Sequence, residues 1–240
     1  MKNEINEQWS GWVSRQLDRN VNKESIRKTL QAQNYSPEVI DRALSFRQFT
    51  DLRVFVKDSF VTDEECEHII AVAQDVGLNK AVVSGSTKGE TSEGRTGTNC
   101  WIPHDKTDTM KAVATRIADL VNMPLHYAES IQVVHYDAEQ EYRPHMDGWK
   151  HDGSVKSKRM MDKRGQRLCT CLVYLNSPEE GGETVFPKLK KAVKPVKGSL
   201  LYFSNVEQNT NVLHPDSLHG GAPVKKGEKW AFNLWFRERQ

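Results

Sequence analysis

Apolar positions in the first fifty residues recur with helical spacing. Trp9, Trp12, Val13 and Leu17 fall at i, i+3, i+4 and i+8, the stripe of an amphipathic helix. Ile26 and Leu30 carry a second short helix, and a third opens with Ser36 as N-cap and Pro37 at its first position, then sets Val39, Ile40, Ala43 and Leu44 on one face. These three predict a small helical accessory region over residues 1–47, ahead of a main domain over 48–240. A strand-like run from Leu52 to Val56 follows. Thr62 and Glu65 have capping-box spacing before Cys66, Ile69, Ile70 and Ala73, and Gly77 supplies the stop. A further amphipathic helix is predicted from about Lys106 to Val121, with Met110, Val113, Ala114, Ile117, Leu120 and Val121 as its buried stripe. The Gly-, Ser- and Thr-rich stretch Ser84–Asn99 reads as a mobile loop rather than an element.

From residue 130 the period shortens. Ile131–Tyr136, Leu168–Leu175, Leu200–Phe203 and Trp230–Phe236 read as strands separated by Gly- and Pro-containing turns. Helices followed by short strands predict an α+β fold: a double-stranded β-helix (jelly roll) with flanking helices, plus the N-terminal helical region. With 240 residues and 37% apolar content, the chain has the means to build one sizeable core and a small accessory unit. A mean hydropathy of −0.67 and the lack of any apolar run near eighteen residues argue against a membrane span, and the first residues carry no secretory apolar stretch. A cytoplasmic protein is expected. Cys66, Cys100, Cys169 and Cys171 have neither the density of a disulfide framework nor paired zinc spacing, so reduced thiols are expected. A net charge of +2 gives no global field for nucleic acid.

In RPHMDGW, His145 and Asp147 lie one residue apart, so an extended backbone projects both from one face, as two ligands to one metal require. His219 in LHGGAP is the best third ligand, because Gly220 and Gly221 allow close approach of that strand. Two imidazoles and one carboxylate leave three positions open on an octahedral ion, the arrangement of non-haem Fe(II) oxygenases. An isolated HxD is more often a solvated or capping pair. The order HxD, His219, then Lys229 changes the reading. A lysine within the apolar run before Trp230, Ala231 and Phe232 calls for an anion, unless it only snorkels at the strand end. Lys229 and Trp235 have the same parity, as do Gln132, Val134 and Tyr136, whereas His135 points the other way and is not expected to be a ligand.

The blocks IQVVHYDAEQEYRPHMD, LVYLNSPEEGGETVFP, VKPVKGSLLYF and SLHGGAPVKKGEKWAFNLWFRE, in this order and spacing, resemble the prolyl 4-hydroxylase branch of the Fe(II)/2-oxoglutarate-dependent dioxygenases. The resemblance runs from about residue 52 to the end. It implies that His145, Asp147 and His219 bind iron and that Lys229 pairs with the 5-carboxylate of 2-oxoglutarate. It further implies that Tyr136 and Thr184 line the co-substrate pocket and that Tyr142, Arg167 and Trp235 meet the target prolyl residue of a protein or peptide. Fe(II), 2-oxoglutarate and O2 are the implied reactants, succinate a product, and ascorbate the reductant that rescues oxidised iron. The chain departs from the family's pattern at DAEQEY, where a usual Gly is replaced, and over Ser84–Trp101. Residues 1–47 weakly resemble a ubiquitin-associated-type module.

Two other readings compete. Lys150–Arg167 holds seven Lys or Arg against two Asp, which would suit phosphates or acidic protein and keeps open a related dioxygenase acting on another side chain or on nucleic acid. Against nucleic acid stand Lys229, where the dealkylating relatives usually employ Arg, and the lack of interleaved aromatic and basic residues. The other reading is a non-catalytic binding module, disfavoured by the intact ligand set. Gly148–Gln166 follows Asp147 directly and has almost no apolar periodicity, so it is expected to be a lid without secondary structure of its own.

Overall fold

The computed structural model describes residues 1–3, 5–18, 21–49, 54–80, 82–84, 89–91, 94–207 and 210–239. Its first third contains α1 (Glu7–Asp18), α2 (Lys23–Ala32), α3 (Pro37–Ser45), β1 (Phe46–Phe49), β2 (Val54–Lys57) and α4 (Asp63–Val76). The middle contains β3 (Asn79–Lys80), β4 (Val82–Ser84), β5 (Gly89–Thr91), β6 (Thr98–Ile102), α5 (Asp108–Val121), β7 (Ile131–Tyr136) and β8 (Tyr142–His145). After α6 (Val155–Arg164) come β9 (Arg167–Tyr174), β10 (Glu180–Gly181), β11 (Thr184–Phe186) and β12 (Lys191–Val193). The chain closes with β13 (Leu200–Ser204), β14 (His219–Gly221), β15 (Val224–Lys226) and β16 (Lys229–Arg237).

Alternation along β16 organises the layers. Trp230, Phe232, Leu234 and Phe236 join Ile131 and Val133 of β7 in a core closed by Cys66, Ile69 and Ala73 of α4 and by Met110, Val113 and Ile117 of α5. Burying a phenylalanine such as Phe232 contributes about 1.5–3 kcal/mol. The opposite parity, Ala231 with Val134, Leu172, Tyr174, Leu201 and Phe203, meets Phe186 and Val224 in a second core. Eight antiparallel strands, in the order β1-β2-β13-β9-β16-β7-β6-β3, make the major sheet, and β12-β11-β14-β8 make the minor one. α4 and α5 cover the outer face of the major sheet, leaving its inner face toward the site.

Local chemistry accounts for the helix limits. The Thr62 hydroxyl accepts from Glu65 N at 3.2 Å, and Thr62 N donates back to Glu65 Oε2 at 2.9 Å. Gly77 takes φ = 83° at the end of α4. Val13, Ile26, Leu30, Tyr35, Val39, Ile40 and Leu44 pack the N-terminal helices into a separate apolar cluster, and the chain then enters β1, which pairs with β2. The Leu17 side chain and residue Leu52 lie outside what is described.

Two expectations are corrected. Ser84–Asn99 is not all loop: β4 and β5 pair from Val82↔Thr91 to Ser84↔Gly89, and β6 begins at Thr98 and pairs with β7. A neighbouring hairpin strand for β4 and a strand distant in sequence for β6 supply the hydrogen bonds that Gly and Ser content seemed to forgo. Nor does Gly148–Gln166 lack structure, since it contains α6. Ser154 accepts from Ser157 N at 3.2 Å at one end. At the other, Arg237 Nη2 donates to Met160 O and Gly165 O, each at 2.6 Å, and Arg239 Nη2 donates to Met161 O and Asp162 O, each at 3.1 Å. These donors come from the chain's last residues, so no local periodicity could announce the helix.

Candidate active site

β8 and β14 pair with His219 opposite His145. The strands approach closely because residue 220 is glycine: a Cβ there would stand 2.8 Å from Tyr142 O and 3.0 Å from Pro144 N. Gly221, also credited above with this approach, would meet only ordinary contacts. His145 Nε2 lies 3.5 Å from Asp147 Oδ1, and His219 Nε2 lies 3.5 Å from Asp147 Oδ2. Ligand atoms of the three residues all fall within 4.8 Å of one another. His145 Nδ1 donates to Arg143 O at 3.0 Å and His219 Nδ1 to Ser217 O at 2.8 Å, which fixes the tautomer and aims both Nε2 lone pairs inward. Burial pushes His219 down to about 4, so its imidazole is neutral, as a ligand must be. Burial alone would raise the Asp147 carboxyl, but the adjoining His219 and His145, when they carry a proton, and the Arg167 guanidinium outweigh it and hold it well below the usual range. This donor set, two nitrogens and one carboxylate without thiolate, fits a ferrous ion with open positions.

Lys229 occupies the major-sheet side of the same space, 5% exposed. Its Nζ donates to Gly182 O at 2.7 Å. Among the described residues no carboxylate lies within ion-pair distance of it. Burial pushes it down to about 8, against the pull of Glu183. A desolvated cation with spare donors is a receptor for an anion. Tyr136 is its cross-strand neighbour on β7, and Thr184 Oγ1 accepts from Tyr174 OH at 2.7 Å.

Tyr142 stacks on His145 with centroids 3.6 Å apart. Arg167 lies over the Trp235 ring at 3.7 Å and reaches Glu129 through two 2.7 Å bonds. Arg237 Nη1 shares Glu129 at 2.9 Å. Arg167 departs from the alternation of its own strand. Cys169 and Cys171 turn into the helix-side core, while a register shift between Phe236 and Arg237 lets Arg167 turn into the cavity. All nine residues singled out from the sequence, His145, Asp147, His219, Lys229, Tyr136, Thr184, Tyr142, Arg167 and Trp235, line one cavity of about 660 Å³. His135 faces away, bonded to Glu228 at 2.8 Å and tilted over Trp230.

Sequence reasoning missed the residues that hold these in place. Thr170 Oγ1 donates to Asp147 Oδ2 at 2.7 Å, and Trp235 Nε1 donates to the same oxygen at 2.9 Å. Asn205 Nδ2 donates to Thr170 Oγ1 at 3.0 Å. The available signal was Thr170 itself, a polar residue of cavity-facing parity within LCTCLVY. Glu129 and Arg95 had none. Arg95 lies 4.7 Å over the Tyr142 ring and donates to Gln132 Oε1 at 3.2 Å.

Residues 131–237 match the model of the 2OG-Fe(II) oxygenase superfamily. A probable prolyl 4-hydroxylase 3 of Arabidopsis thaliana is 35% identical over 203 residues, covering 76% of this chain and 68% of the relative. A putative prolyl 4-hydroxylase of Acanthamoeba polyphaga mimivirus is 36% identical, covering 78% and 74%. The viral collagen prolyl hydroxylase of Paramecium Bursaria Chlorella virus-1, solved as its 2-oxoglutarate complex, is 32% identical with a TM-score of 0.62, covering 77% of this chain and 95% of that one.

Proposed function

Since the chain belongs to the prolyl 4-hydroxylase family of Fe(II)- and 2-oxoglutarate-dependent dioxygenases, we propose that it hydroxylates a prolyl residue of a protein or peptide in this cavity. His145, Asp147 and His219 hold the iron, and Lys229 pairs with the 5-carboxylate of 2-oxoglutarate. The observation that carries this reading is the convergence of two Nε2 atoms and a carboxylate on one wall of a cavity whose other wall holds a buried lysine that, among the described residues, has no carboxylate within ion-pair distance. Iron with 2-oxoglutarate supplies the oxidation: O2 is consumed, the co-substrate loses CO2 to become succinate, and a substrate C–H becomes C–OH.

The chain's own residues do the positioning. Thr170 and Trp235 bond one carboxylate oxygen of Asp147 and keep it from rotating. Glu129 holds the Arg167 guanidinium over the Trp235 ring, and these two with Tyr142 line the cavity for a pyrrolidine ring. Tyr136 and Thr184 border the co-substrate between these groups and Lys229. Ascorbate serves as the reductant that restores ferrous iron. The protein acts in the cytoplasm, where four free, buried thiols stay reduced. Residues 1–47 serve as an accessory helical module.

Incubation of the protein with Fe(II), 2-oxoglutarate, ascorbate and a proline-rich peptide tests the reading by mass spectrometry. One added oxygen on a prolyl residue, matched by one succinate, is expected. Oxygen on another side chain, or on a methylated oligonucleotide base but no proline, would replace prolyl hydroxylation with that activity.

A further inference from the structure

The inner face of the major sheet carries side-chain amides that take no part in holding the metal ligands or Lys229. Asn99 of β6, Gln132 of β7 and Asn233 of β16 all line the cavity. Gln132 lies directly opposite Asn233 in the ladder, and Asn99, opposite Val134, is its diagonal neighbour. Along β16, Asn233 falls between Lys229 and Trp235 and shares their parity. Trp101, exposed at the outer end of this patch, tilts against Trp235 with centroids 5.6 Å apart. The amides therefore lie between the lysine of the co-substrate end and the aromatic rim.

Buried amides are nearly always hydrogen-bonded. Asn99 is 8% exposed and Gln132 4%, yet among the described residues no hydrogen bond reaches the Asn99 side chain, and Gln132 uses only Oε1, which accepts from Arg95 Nη2 at 3.2 Å. The half-buried Asn233 side chain is likewise unbonded among the described residues. The amino groups of all three amides and the oxygens of both asparagines are thus left to whatever enters the cavity. They are neutral, so they offer an anion no charge. They are also the same functional group as a peptide bond, with donors and acceptors that match main chain. Proline-rich chain has carbonyls but few N–H groups, and amide NH2 groups supply what such carbonyls need once water is excluded.

Spacing agrees with this. Neighbouring strands lie about 4.8 Å apart and alternate residues of a strand about 6.8 Å apart, so Asn99 and Asn233 stand about 12 Å from each other with Gln132 between them. An extended or polyproline II segment covers that span in about three to four residues. Asn and Gln that read a nucleobase converge on one edge, which this spread does not allow. We propose that Asn99, Gln132 and Asn233 hold the main chain of the substrate polypeptide beside its target proline, so that the enzyme selects consecutive peptide groups rather than particular flanking side chains; the inference rests on the prolyl hydroxylase reading above.

A peptide with one proline flanked by alanines, and its ester analogues in which each alanine in turn is replaced by lactate, give the test through kcat/KM for hydroxyproline formation. Each ester removes one N–H and weakens one carbonyl acceptor while keeping length and side chain. In the parent, at least one ester near the proline is expected to lose about tenfold, carried by KM. N99L/N233L is expected to lose about tenfold on the all-amide peptide and then to treat that ester and the amide alike within about twofold, because the bond is already gone. Its KM for 2-oxoglutarate is expected to stay at the parent value, which general damage to the cavity would move. N99A/N233A, which adds no apolar bulk, carries the same comparison if N99L/N233L no longer takes up Mn(II) and 2-oxoglutarate. No loss with any ester in the parent, equal ester losses in parent and variant, or a parent-like peptide KM in the variant overturns the inference and leaves prolyl hydroxylation standing. A rise in KM for 2-oxoglutarate alone overturns it in favour of the co-substrate. A single-stranded oligonucleotide that displaces labelled peptide from the parent but not from the variant, read by fluorescence anisotropy, overturns it in favour of a base. Hydroxyproline from none of the peptides in the parent overturns both readings.

Discussion

The two sheets that face each other across the cavity place their charged groups by different means. On the minor sheet, His145 and His219 come from strands of four and three residues, and their positions depend on the close approach at Gly220 and on backbone carbonyls that fix each Nδ1. On the major sheet, Lys229 opens a nine-residue strand whose alternate residues are anchored in the helix-side core. The first wall is an arrangement of lone pairs; the second is an arrangement of burial. A metal needs donor atoms converging from neighbouring strands, whereas an organic dianion needs a cation held where water is scarce. Asp147 belongs to both, because its ligand oxygens sit on the minor-sheet side while Thr170 and Trp235 brace it from the major sheet.

If this division is right, the walls fail differently. The largest effect is expected from Asp147→Ala, which removes a ligand and the geometry with it: succinate formation should fall by about 1000-fold or more, as loss of a group acting as part of a unit does. Retention of substrate-dependent decarboxylation in that variant would break the minor-sheet assignment. Lys229→Met should raise the KM for 2-oxoglutarate about 30-fold or more, since losing one partner of a buried charge pair costs about 2–5 kcal/mol. In the absence of co-substrate the same variant should melt no lower than the parent, because the cost of desolvating an ammonium outweighs its single hydrogen bond to Gly182 O. A lower melting temperature would show that this bond outweighs the desolvation.

A smaller effect follows from pH. Burial holds Lys229 at about 8 in the free protein, so the ammonium is present below pH 8 and is lost as pH rises through it. Affinity for 2-oxoglutarate should therefore be constant below that value and weaken above it, by at most about tenfold per pH unit for one proton. Isothermal titration from pH 6.5 to 9.5 checks the direction. The smallest effect is expected from Glu129→Gln, which loosens Arg167 from Trp235: KM for the peptide should rise about three- to tenfold while KM for 2-oxoglutarate stays within error, because the loss amounts to about 1 kcal/mol of positioning.

Most of the major sheet was legible in sequence because its evidence is periodic. Ile131–Tyr136 matches β7 residue for residue, Trp230–Phe236 lies within β16, and the Thr62–Glu65 box opens α4. The ligands were legible through spacing, although Asp147 lies in the bend that follows β8 rather than on the strand itself. What escaped depends on partners far along the chain. Thr170 and Asn205 brace Asp147 across strands, α6 is held by Arg237 and Arg239 from the C-terminus, and Arg167 reaches the cavity through a register shift opposite Arg237 that breaks the parity of its strand. None of these leaves a local period.

The separation of the walls is tested most directly by anaerobic calorimetric titration of Mn(II), then 2-oxoglutarate, into the parent protein and its Asp147→Ala and Lys229→Met variants. The account predicts that Asp147→Ala loses Mn(II) binding, and that Lys229→Met binds Mn(II) as the parent does while its affinity for 2-oxoglutarate falls at least tenfold. Parent-like 2-oxoglutarate affinity in Lys229→Met, or parent-like Mn(II) affinity in Asp147→Ala, would contradict it.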